Sequence, residues 1–362
     1  MAVFITVTND FQSFQSRLAS YFTSLPALLI ELSLQEIFEL ARDALMAHGA
    51  NLETAEAVAK NVTNAERDGS VSHGLFRIPG YVDALQTGSA DGQVTPTVQE
   101  VTPVVFRCDG KNALAPRVHQ VCMGKLINAA QTYGMASVSI KNSHHYSALW
   151  PEVETLSEAG LAGFTSVNYL PWVAPTGGKT PIFGTNPFAF AWPRPGQHPI
   201  VIDMATSSMA MGEVQIAARD GCEVPLGTGL SSNGELTTNA AEIADGVLLP
   251  FGGEHGGHKG SALALIVELL SGPLVGDKFS YETQRCDQEN DGATQGGQFL
   301  MALNPAVLSD NNWDTQTEEF LQEYGAIEGA RLPGERRHQN RKQKGPRSVD
   351  AALVKKIEKL IE

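Results

Sequence analysis

The 362-residue sequence lacks the features that direct a chain to a membrane or to an oxidising compartment. No stretch of about 18 apolar residues occurs, so the sequence predicts no membrane-spanning helix and no membrane partner. The N-terminal residues lack a basic segment followed by an apolar core, which argues against a secretory signal peptide. The four cysteines have no Cys-x-x-Cys spacing, which is typical of a reduced protein without a cysteine-based metal site. We therefore expect a cytoplasmic protein.

Positive charge is scarce in this chain. It has 26 Lys and Arg against 40 Asp and Glu, a net charge of −14. A general nucleic-acid binder needs a basic surface, so no nucleic-acid partner is expected. The cations are concentrated in residues 331–362, which carry a net charge of +6 and leave −20 for the rest. This segment is either a solvated basic tail or a local phosphate-binding device.

The common nucleotide-binding loops are also missing. No Gly-x-Gly-x-x-Gly pattern follows a predicted strand, and the glycine-rich run 252–261 lacks the Gly-Lys-Ser/Thr ending of a P-loop. The sequence therefore predicts neither a Rossmann nor a P-loop nucleotide site.

The apolar patterning predicts helices first and then alternating strands and helices. Ser33 and Glu36 have the spacing of a capping box at the start of the first helix, the second spans 52–67, and Pro79 lies in the first turn of the third. Further helices are predicted at 113–133, 150–158, 262–271 and 348–362, and strands at 104–106, 136–140, 161–167 and 199–203. The glycine-rich run before residue 262 predicts a loop, and the polar run 280–298 predicts irregular structure. This order indicates an α/β or α+β core.

Ser72-His73-Gly74-x-x-Arg77 is a candidate for acid–base chemistry in a predicted loop. A loop histidine titrates near neutral pH and suits general acid–base catalysis. An arginine four residues later can bind a substrate carboxylate with two hydrogen bonds. From spacing alone, the alternative of a turn with a surface histidine stays open.

Other histidines do not predict a metal site. The adjacent His144 and His145 point in different directions on most backbones, and glycines interrupt His255-x-x-His258. A zinc hydrolase built on the latter pair is the weakest hypothesis. Anion binding through backbone N–H groups is the favoured interpretation of both segments.

Several motifs in register resemble the malate/L-lactate dehydrogenase type-2 oxidoreductase family over residues 32–362. They are Ser-His-Gly-x-x-Arg-x-Pro-x-Tyr at 72–81, Asn-Ser-His-His-Tyr at 142–146, Phe-Gly-Thr-Asn-Pro at 183–187, Asp-Met-Ala-Thr-Ser at 203–207, Gly-Gly-His-Lys-Gly at 256–260 and Arg-Leu-Pro-Gly-Glu-Arg-Arg at 331–337. The runs at 143–151 and 212–219 are most similar to the Δ1-piperideine-2-carboxylate/Δ1-pyrroline-2-carboxylate reductases of this family.

The resemblance implies a non-Rossmann NAD(P)H-binding fold with a mixed, largely antiparallel sheet flanked by helices. It also implies a homodimer with the site at the subunit interface. The implied activity is NADPH-dependent reduction of cyclic ketimine carboxylates, with NADH as the other possible coenzyme. Two alternatives stay open: an NAD(P)-dependent dehydrogenase of 2-hydroxy acids such as malate, lactate or ureidoglycolate, and an inactive dinucleotide-binding homologue.

The resemblance also divides the chain into four segments. Residues 1–31 form an N-terminal extension without an assigned place. Residues 32–110 form the helical catalytic and substrate segment, and residues 111–280 form the cofactor-binding α/β core. Residues 281–362 return to pack against 32–110.

Site residues follow from the matched motifs. His73 would donate the proton, with Ser72 and Glu213 in its relay. The residues that the resemblance assigns to substrate binding are Arg77, Thr185, Met211 and Gly212. The residues that it assigns to cofactor binding are His145, Tyr146, Ser147, Ala148, Leu149, Asp203, Met204, Ala205, His258, Lys259, Arg331, Arg336 and Arg337.

The sequence departs from the family pattern at two places. Glu213 stands where the reductases have Asp, so the relay acid is one methylene longer. The run 251–260 is four residues longer than the family loop. Both departures affect segments to which the resemblance assigns a catalytic or cofactor role.

Overall fold

The computed structural model describes residues 28–144, 147–283, 296–310 and 312–362. Its strands, in chain order, are β1 (Leu29–Leu32), β2 (Thr97–Thr102), β3 (Val105–Leu114), β4 (Met135–His144), β5 (Ala162–Val167), β6 (Phe188–Trp192), β7 (Ile200–Met204), β8 (Gly229–Leu230), β9 (Leu236–Thr237), β10 (Val247–Leu248), β11 (Gly296–Leu303) and β12 (Arg347–Asp350). Its helices are α1 (Leu34–Ala47), α2 (Leu52–Arg67), α3 (Ile78–Gln86), α4 (Ala115–Tyr133), α5 (Trp150–Glu158), α6 (Met211–Arg219), α7 (Ala240–Ala244), α8 (Gly253–Ser271), α9 (Pro305–Leu308), α10 (Trp313–Ala326), α11 (Glu335–Lys342) and α12 (Ala351–Ile361).

A seven-stranded sheet forms the centre of the fold, in the order β2-β3-β4-β11-β5-β6-β7. Strands β3 and β4 run parallel and are joined by helix α4, whereas the other neighbouring pairs are antiparallel. A parallel pair needs such a crossover connection because the first strand ends at the edge of the sheet opposite to the start of the second. The expected mixed, largely antiparallel sheet with flanking helices is confirmed.

The helical segment begins as the sequence predicts. The Ser33 hydroxyl accepts the Glu36 N–H at 3.1 Å, and the Glu36 carboxylate accepts the Ser33 N–H at 2.7 Å, which completes the capping box. Helix α2 has the predicted bounds, and Pro79 lies in the first turn of α3. The apolar faces of α1, α2 and α3 pack with Val349, Val354 and Ile357 of the C-terminal segment in one core.

Two predictions about local structure are wrong. The glycine-rich run before residue 262 is not a loop, because α8 already begins at Gly253. The run 280–298 was expected to be irregular, but β11 begins at Gly296 and lies in the middle of the sheet. The rest of that run, residues 284–295, lies outside the described residues, as do residues 1–27 of the N-terminal extension. The central sheet therefore combines strands that precede residue 280 with one strand, β11, that follows it.

Helix α11 is tied to two other helices by a buried ion-pair cluster. The Arg341 guanidinium donates to both carboxylate oxygens of Asp68, at 2.8 and 2.6 Å, and to both of Glu154, at 2.7 and 2.6 Å. Asp68 follows the end of α2, and Glu154 belongs to α5. The side chains of Asp68 and Glu154 are 0% and 8% exposed, so removal of the cation would leave two carboxylates buried without it.

No helix within the described parts of the chain combines the length and the apolar character needed to cross a bilayer.

We predict that Arg341→Met lowers the free energy of unfolding by about 3 kcal/mol at pH 7.5, because Glu154 loses its paired cation and Asp68 is left with Arg67. Burial raises the pKa of Asp68 in the native protein, but Arg341 and Arg67 together outweigh burial and hold that pKa below its ordinary value. The native protein therefore keeps this stabilisation above the ordinary pKa of Asp and loses it only as the pH falls through the lowered value. In Arg341→Met the buried Asp68 carboxyl takes up a proton more readily, so the deficit should shrink between pH 7.5 and pH 5.

Urea denaturation at both pH values measures this effect. The matched control is Arg219→Met, whose exposed pair with Asp220 should contribute less than about 1 kcal/mol. Equal losses in the two variants would contradict the argument.

Candidate functional site

The Ser72–Arg77 segment is a compact double turn between α2 and α3. Two 3₁₀ turns, Val71–His73 and Leu75–Arg77, follow each other directly. The Ser72 hydroxyl lies 3.1 Å from Nδ1 of His73, and Nε of Arg77 donates to the Ser72 carbonyl at 2.8 Å. The double turn thus places an imidazole and a guanidinium in one short, internally bonded segment.

The N-terminus of α6 approaches the guanidinium of this segment. A β-carbon on Gly212 would lie 3.3 Å from Nη2 of Arg77, so the absence of a side chain lets the helix come close. Met211 is buried in the core behind it. Glu213 reaches solvent, yet the protein around its carboxyl raises its pKa, and Arg336 opposes that rise. The structure therefore brings Arg77, Met211 and Gly212 together, with Glu213 beside them.

Two further motifs meet at the end of β7. The N–H and the hydroxyl of Thr206 both donate to the Thr185 carbonyl, at 2.9 and 3.0 Å. Asp203, three residues earlier, accepts the N–H groups of Leu149 and Trp150 on one oxygen, at 3.0 and 2.9 Å. A carboxylate at a helix start satisfies N–H groups that have no partner within the helix. Asp203 therefore fixes the start of α5.

Burial raises the pKa of Asp203 to about 6, and the negative charge of Glu152 adds to the rise. Arg337 and the two N–H groups of α5 oppose it. Arg337 is held from the other side as well, because its guanidinium donates to the Val201 carbonyl at 3.0 Å and lies 5.7 Å from the Trp150 ring. This arginine is thus already engaged by protein groups.

The remaining predicted cofactor residues fall into three groups. Ser147 contacts the Tyr81 hydroxyl at 3.1 Å, whereas the side chains of Ala148 and Leu149 are buried in the core. The exposed residues are Met204, His258, Lys259, Arg331 and Arg336, and Ala205 is half-buried. His145 and Tyr146 lie outside the described residues.

Glu66 is a site neighbour that the motifs did not indicate. This carboxylate in the last turn of α2 is 5% exposed and accepts the Leu75 N–H at 2.8 Å. A signal was present in the sequence, because Val58, Val62 and Glu66 follow one another at helical spacing on the apolar face. A charged residue at a core position of an amphipathic helix is rarely buried without a specific partner.

Within the described part of the chain, no group of three or more His, Cys, Asp or Glu residues is arranged to hold a metal ion.

The mixed sheet with flanking helices, and the grouping of His73, Arg77 and the start of α6, agree with what the motif resemblance implies for an oxidoreductase of the dehydrogenase class. The family model described as malate/L-lactate dehydrogenase matches residues 32–358, and the chain belongs to this family. The resemblance seen in the motifs is thereby confirmed, and with it a nicotinamide dinucleotide as the class of coenzyme.

Two reductases and one dehydrogenase are similar to this chain over most of its length. The Δ1-pyrroline-2-carboxylate reductase of Ancylobacter novellus is 40% identical over 336 residues, which are 91% of this chain and 97% of the relative. The crystal structure of the Δ1-piperideine-2-carboxylate reductase from Pseudomonas syringae pathovar tomato superposes with a TM-score of 0.85 at 38% identity, over 91% of this chain and 99% of that one. The (2R)-3-sulfolactate dehydrogenase (NADP(+)) of Chromohalobacter salexigens is 36% identical over 314 residues, 87% of this chain and 92% of the relative.

We predict that Asp203→Asn changes the pH dependence of stability between pH 4 and 6. The pKa of Asp203 in the folded protein is about 6, above the ordinary value of about 3.9 for Asp. In this window the folded state holds a proton that the unfolded state has released, so the free energy of unfolding falls as the pH rises. The Asn variant should lack this fall, which we expect to be about 1 to 2 kcal/mol.

Urea denaturation at half-unit pH steps gives the comparison. The control is Asp109→Asn, because hydrogen bonds from Asn142 and Lys111 lower the pKa of Asp109 and move its effect below pH 4. Identical slopes for the native protein and Asp203→Asn between pH 4 and 6 would refute the assignment.

Proposed function

We propose that the protein reduces cyclic ketimine carboxylates with NADPH: Δ1-piperideine-2-carboxylate to pipecolate and Δ1-pyrroline-2-carboxylate to proline. The main observation in support of this proposal is that the double turn holds His73 and Arg77 together beside the N-terminus of α6. It combines an acid and a carboxylate anchor, the two groups that reduction of an imine next to a carboxylate requires. Relatives that are 38–40% identical and named for these two reductions support the choice of substrate.

Arg77 binds the substrate carboxylate in this proposal. A guanidinium offers paired N–H donors that match a carboxylate, and the bond from Nε to the Ser72 carbonyl fixes its direction. Thr185, Met211 and Gly212 form the surrounding surface. When the carboxylate is anchored, the position of the adjacent imine carbon is set as well. Substrate binding thereby also orients the reacting carbon.

His73 supplies the proton that the imine nitrogen gains. Ser72 contacts Nδ1, so we assign the transfer to Nε2 on the opposite side of the ring. Glu213 completes the relay, because a nearby negative charge favours the protonated imidazole. A protonated imine is the more electrophilic form, and hydride arrives at its carbon from the nicotinamide coenzyme.

The exposed cations fit an anionic dinucleotide. Lys259, next to His258, lies in the second turn of α8, and Arg336 lies in the first turn of α11, so each helix has a basic side chain near its N-terminal end. Arg336 is our candidate for the 2′-phosphate that distinguishes NADPH from NADH, because Arg337 is engaged by Val201 and Trp150. Asp203, Ser147 to Leu149, Met204, Ala205 and Arg331 complete the proposed cofactor surface, and His145 and Tyr146 are assigned to it by resemblance.

Oxidation of a 2-hydroxy acid is the second candidate function. The same histidine and arginine would serve a 2-oxo or 2-hydroxy acid, since both substrate types carry a carboxylate next to the reacting carbon. The 36% identity to a protein named as a sulfolactate dehydrogenase favours retaining this candidate.

We further propose that the protein is a cytoplasmic homodimer that associates through α8. Leu265, Ile266 and Leu269 are each 49% exposed on this helix, and Leu274 just beyond it is 55% exposed. An apolar surface of this kind is typical of an interface, and the same helix carries His258 and Lys259.

The free thiols of Cys108, Cys122 and Cys222 suit a reducing compartment.

We predict fast NADPH oxidation with Δ1-piperideine-2-carboxylate and slow oxidation with pyruvate or oxaloacetate, followed at 340 nm. His73→Ala should lower kcat about 10²- to 10⁴-fold, the usual contribution of a general acid. Arg77→Ala should mainly raise KM for the imine, because it removes the carboxylate anchor. His48→Gln is the control, since His48 bonds the Leu360 carbonyl at the far end of α1.

Each outcome of this assay is decisive. Turnover of oxo acids without imine turnover would replace the proposal by the second candidate. Full kcat in His73→Ala at saturating substrate would refute its role as proton donor. Equal rates with NADH would refute a contact from the protein to the 2′-phosphate.

We predict a native mass near twice the 38.8 kDa of one chain in light scattering. Leu265→Lys combined with Leu269→Lys should shift it to one chain, because charged side chains on both copies would then face an apolar interface. Leu308→Lys changes a leucine that is 58% exposed on α9 and should leave the dimer intact. A dimer that survives the double change would exclude α8 as the interface.

A further inference from the structure

We propose that Glu66 is a positioning residue that sets His73 and Arg77 relative to each other. Its role rests on the function proposed for those two residues. It touches the peptide between them, so we assign it no contact with substrate.

The Glu66 carboxylate sits on the junction of the two 3₁₀ turns. Its Oε1 accepts the N–H of Leu75, the first residue of the second turn, at 2.8 Å. A β-carbon on Gly74 would overlap Oε1 and the carboxyl carbon of Glu66. Gly74 has a φ of −88°, so it is the approach of this carboxylate, and not a left-handed backbone, that requires glycine here.

Both catalytic candidates are bonded to this junction through the backbone. The Gly74 N–H donates to the Val71 carbonyl at 3.1 Å, which closes the turn that ends at His73. The Gly74 carbonyl accepts the Arg77 N–H at 3.0 Å, which closes the turn that presents the guanidinium. A change in the Gly74–Leu75 peptide therefore rotates His73 and Arg77 with respect to each other. The carboxylate that fixes this peptide fixes their relative placement.

The charge of Glu66 gives the role a second consequence. Burial raises the pKa of Glu66 to about 7, against the Leu75 N–H, which lowers it. The ionised carboxylate lies against Gly74, the residue next to His73, and a negative charge at that place favours the imidazolium. When its own carboxyl is ionised, Glu66 thus supports the protonated form of the proposed acid without contacting the substrate.

Three variants separate these effects. Glu66→Gln keeps a carbonyl oxygen for the Leu75 N–H but removes the charge. Glu66→Ala removes both. Thr63→Val is the matched control, because it removes from the same helix, one turn earlier, a buried hydroxyl that has no hydrogen-bond partner among the described residues.

We predict that Glu66→Ala lowers kcat/KM for the imine about 10- to 100-fold, as expected for a misplaced catalytic group. The loss should appear in both kcat and KM, because His73 and Arg77 shift together, while the Kd for NADPH stays within about twofold. At its own pH optimum, Glu66→Gln should retain most of the kcat/KM that Glu66→Ala loses. A merely structural residue would instead reduce the amount of folded enzyme and leave kcat per folded site unchanged, as in Thr63→Val.

The pKa of His73, measured by NMR on ¹³C-histidine-labelled protein, gives a readout besides activity. Glu66→Gln should lower that pKa, and Thr63→Val should leave it unchanged. An unshifted pKa together with full kcat/KM in Glu66→Ala would overturn the proposal.

The two proposals can fail separately. If the native enzyme turns over 2-oxo acids instead of imines, the proposed substrate is wrong, and the same variants are compared with the oxo acid. If the native enzyme reduces the imine and Glu66→Ala does so equally well, only the positioning role is wrong. If neither substrate is turned over, the NMR comparison alone decides the role of Glu66.

Discussion

The guanidinium of Arg341 holds together three segments on which the candidate site depends. It binds Asp68 at the end of α2 and Glu154 on α5, and the guanidinium groups of Arg341 and Arg337 lie 5.6 and 5.7 Å from the centre of the Trp150 ring. Breaking such a buried cluster is costly, but its net contribution to stability over apolar packing is small. Its main effect here is geometric, because the double turn with His73 starts just after Asp68. The neighbouring Asn340 donates to the Asp68 carbonyl at 2.9 Å and secures that start from the same helix.

How far the sequence predicts this architecture depends on whether the stabilising contacts are local. The capping box of α1 and the bounds of α2 and α5 were predictable, because caps and amphipathic spacing act within a few residues. The start of α8 and the strand β11 were not. Glycine normally marks a turn, but Gly296 and Gly297 begin a central strand, where a β-carbon would overlap the carbonyl oxygens of Asn168 and Ser271. These glycines serve close packing with residues far away in the chain.

The same distinction explains the candidate site. The motifs identified His73 and Arg77 because both lie in one short segment with a recognisable spacing. The carboxylate of Glu66 belongs to the preceding helix, and only the folded double turn brings it onto Gly74. Likewise, the separation of Arg336 from Arg337 needs the structure, since Val201 and Trp150 engage one of these adjacent arginines. Local patterns thus find the reacting groups, whereas tertiary contacts decide how those groups are oriented.

The placement of charge reconciles an acidic chain with anionic ligands. Residues outside 331–362 carry a net charge of −20, yet the proposed substrate and coenzyme are both anions. Glu66, Glu152 and Asp203 are removed from water, which raises the pKa of each to between about 6 and 7. At neutral pH these carboxyls carry less negative charge than exposed carboxylates, so they repel an incoming anion less. Arg336 and Lys259 of the proposed cofactor surface are exposed basic side chains, so the charge presented there is opposite in sign to that of the chain as a whole.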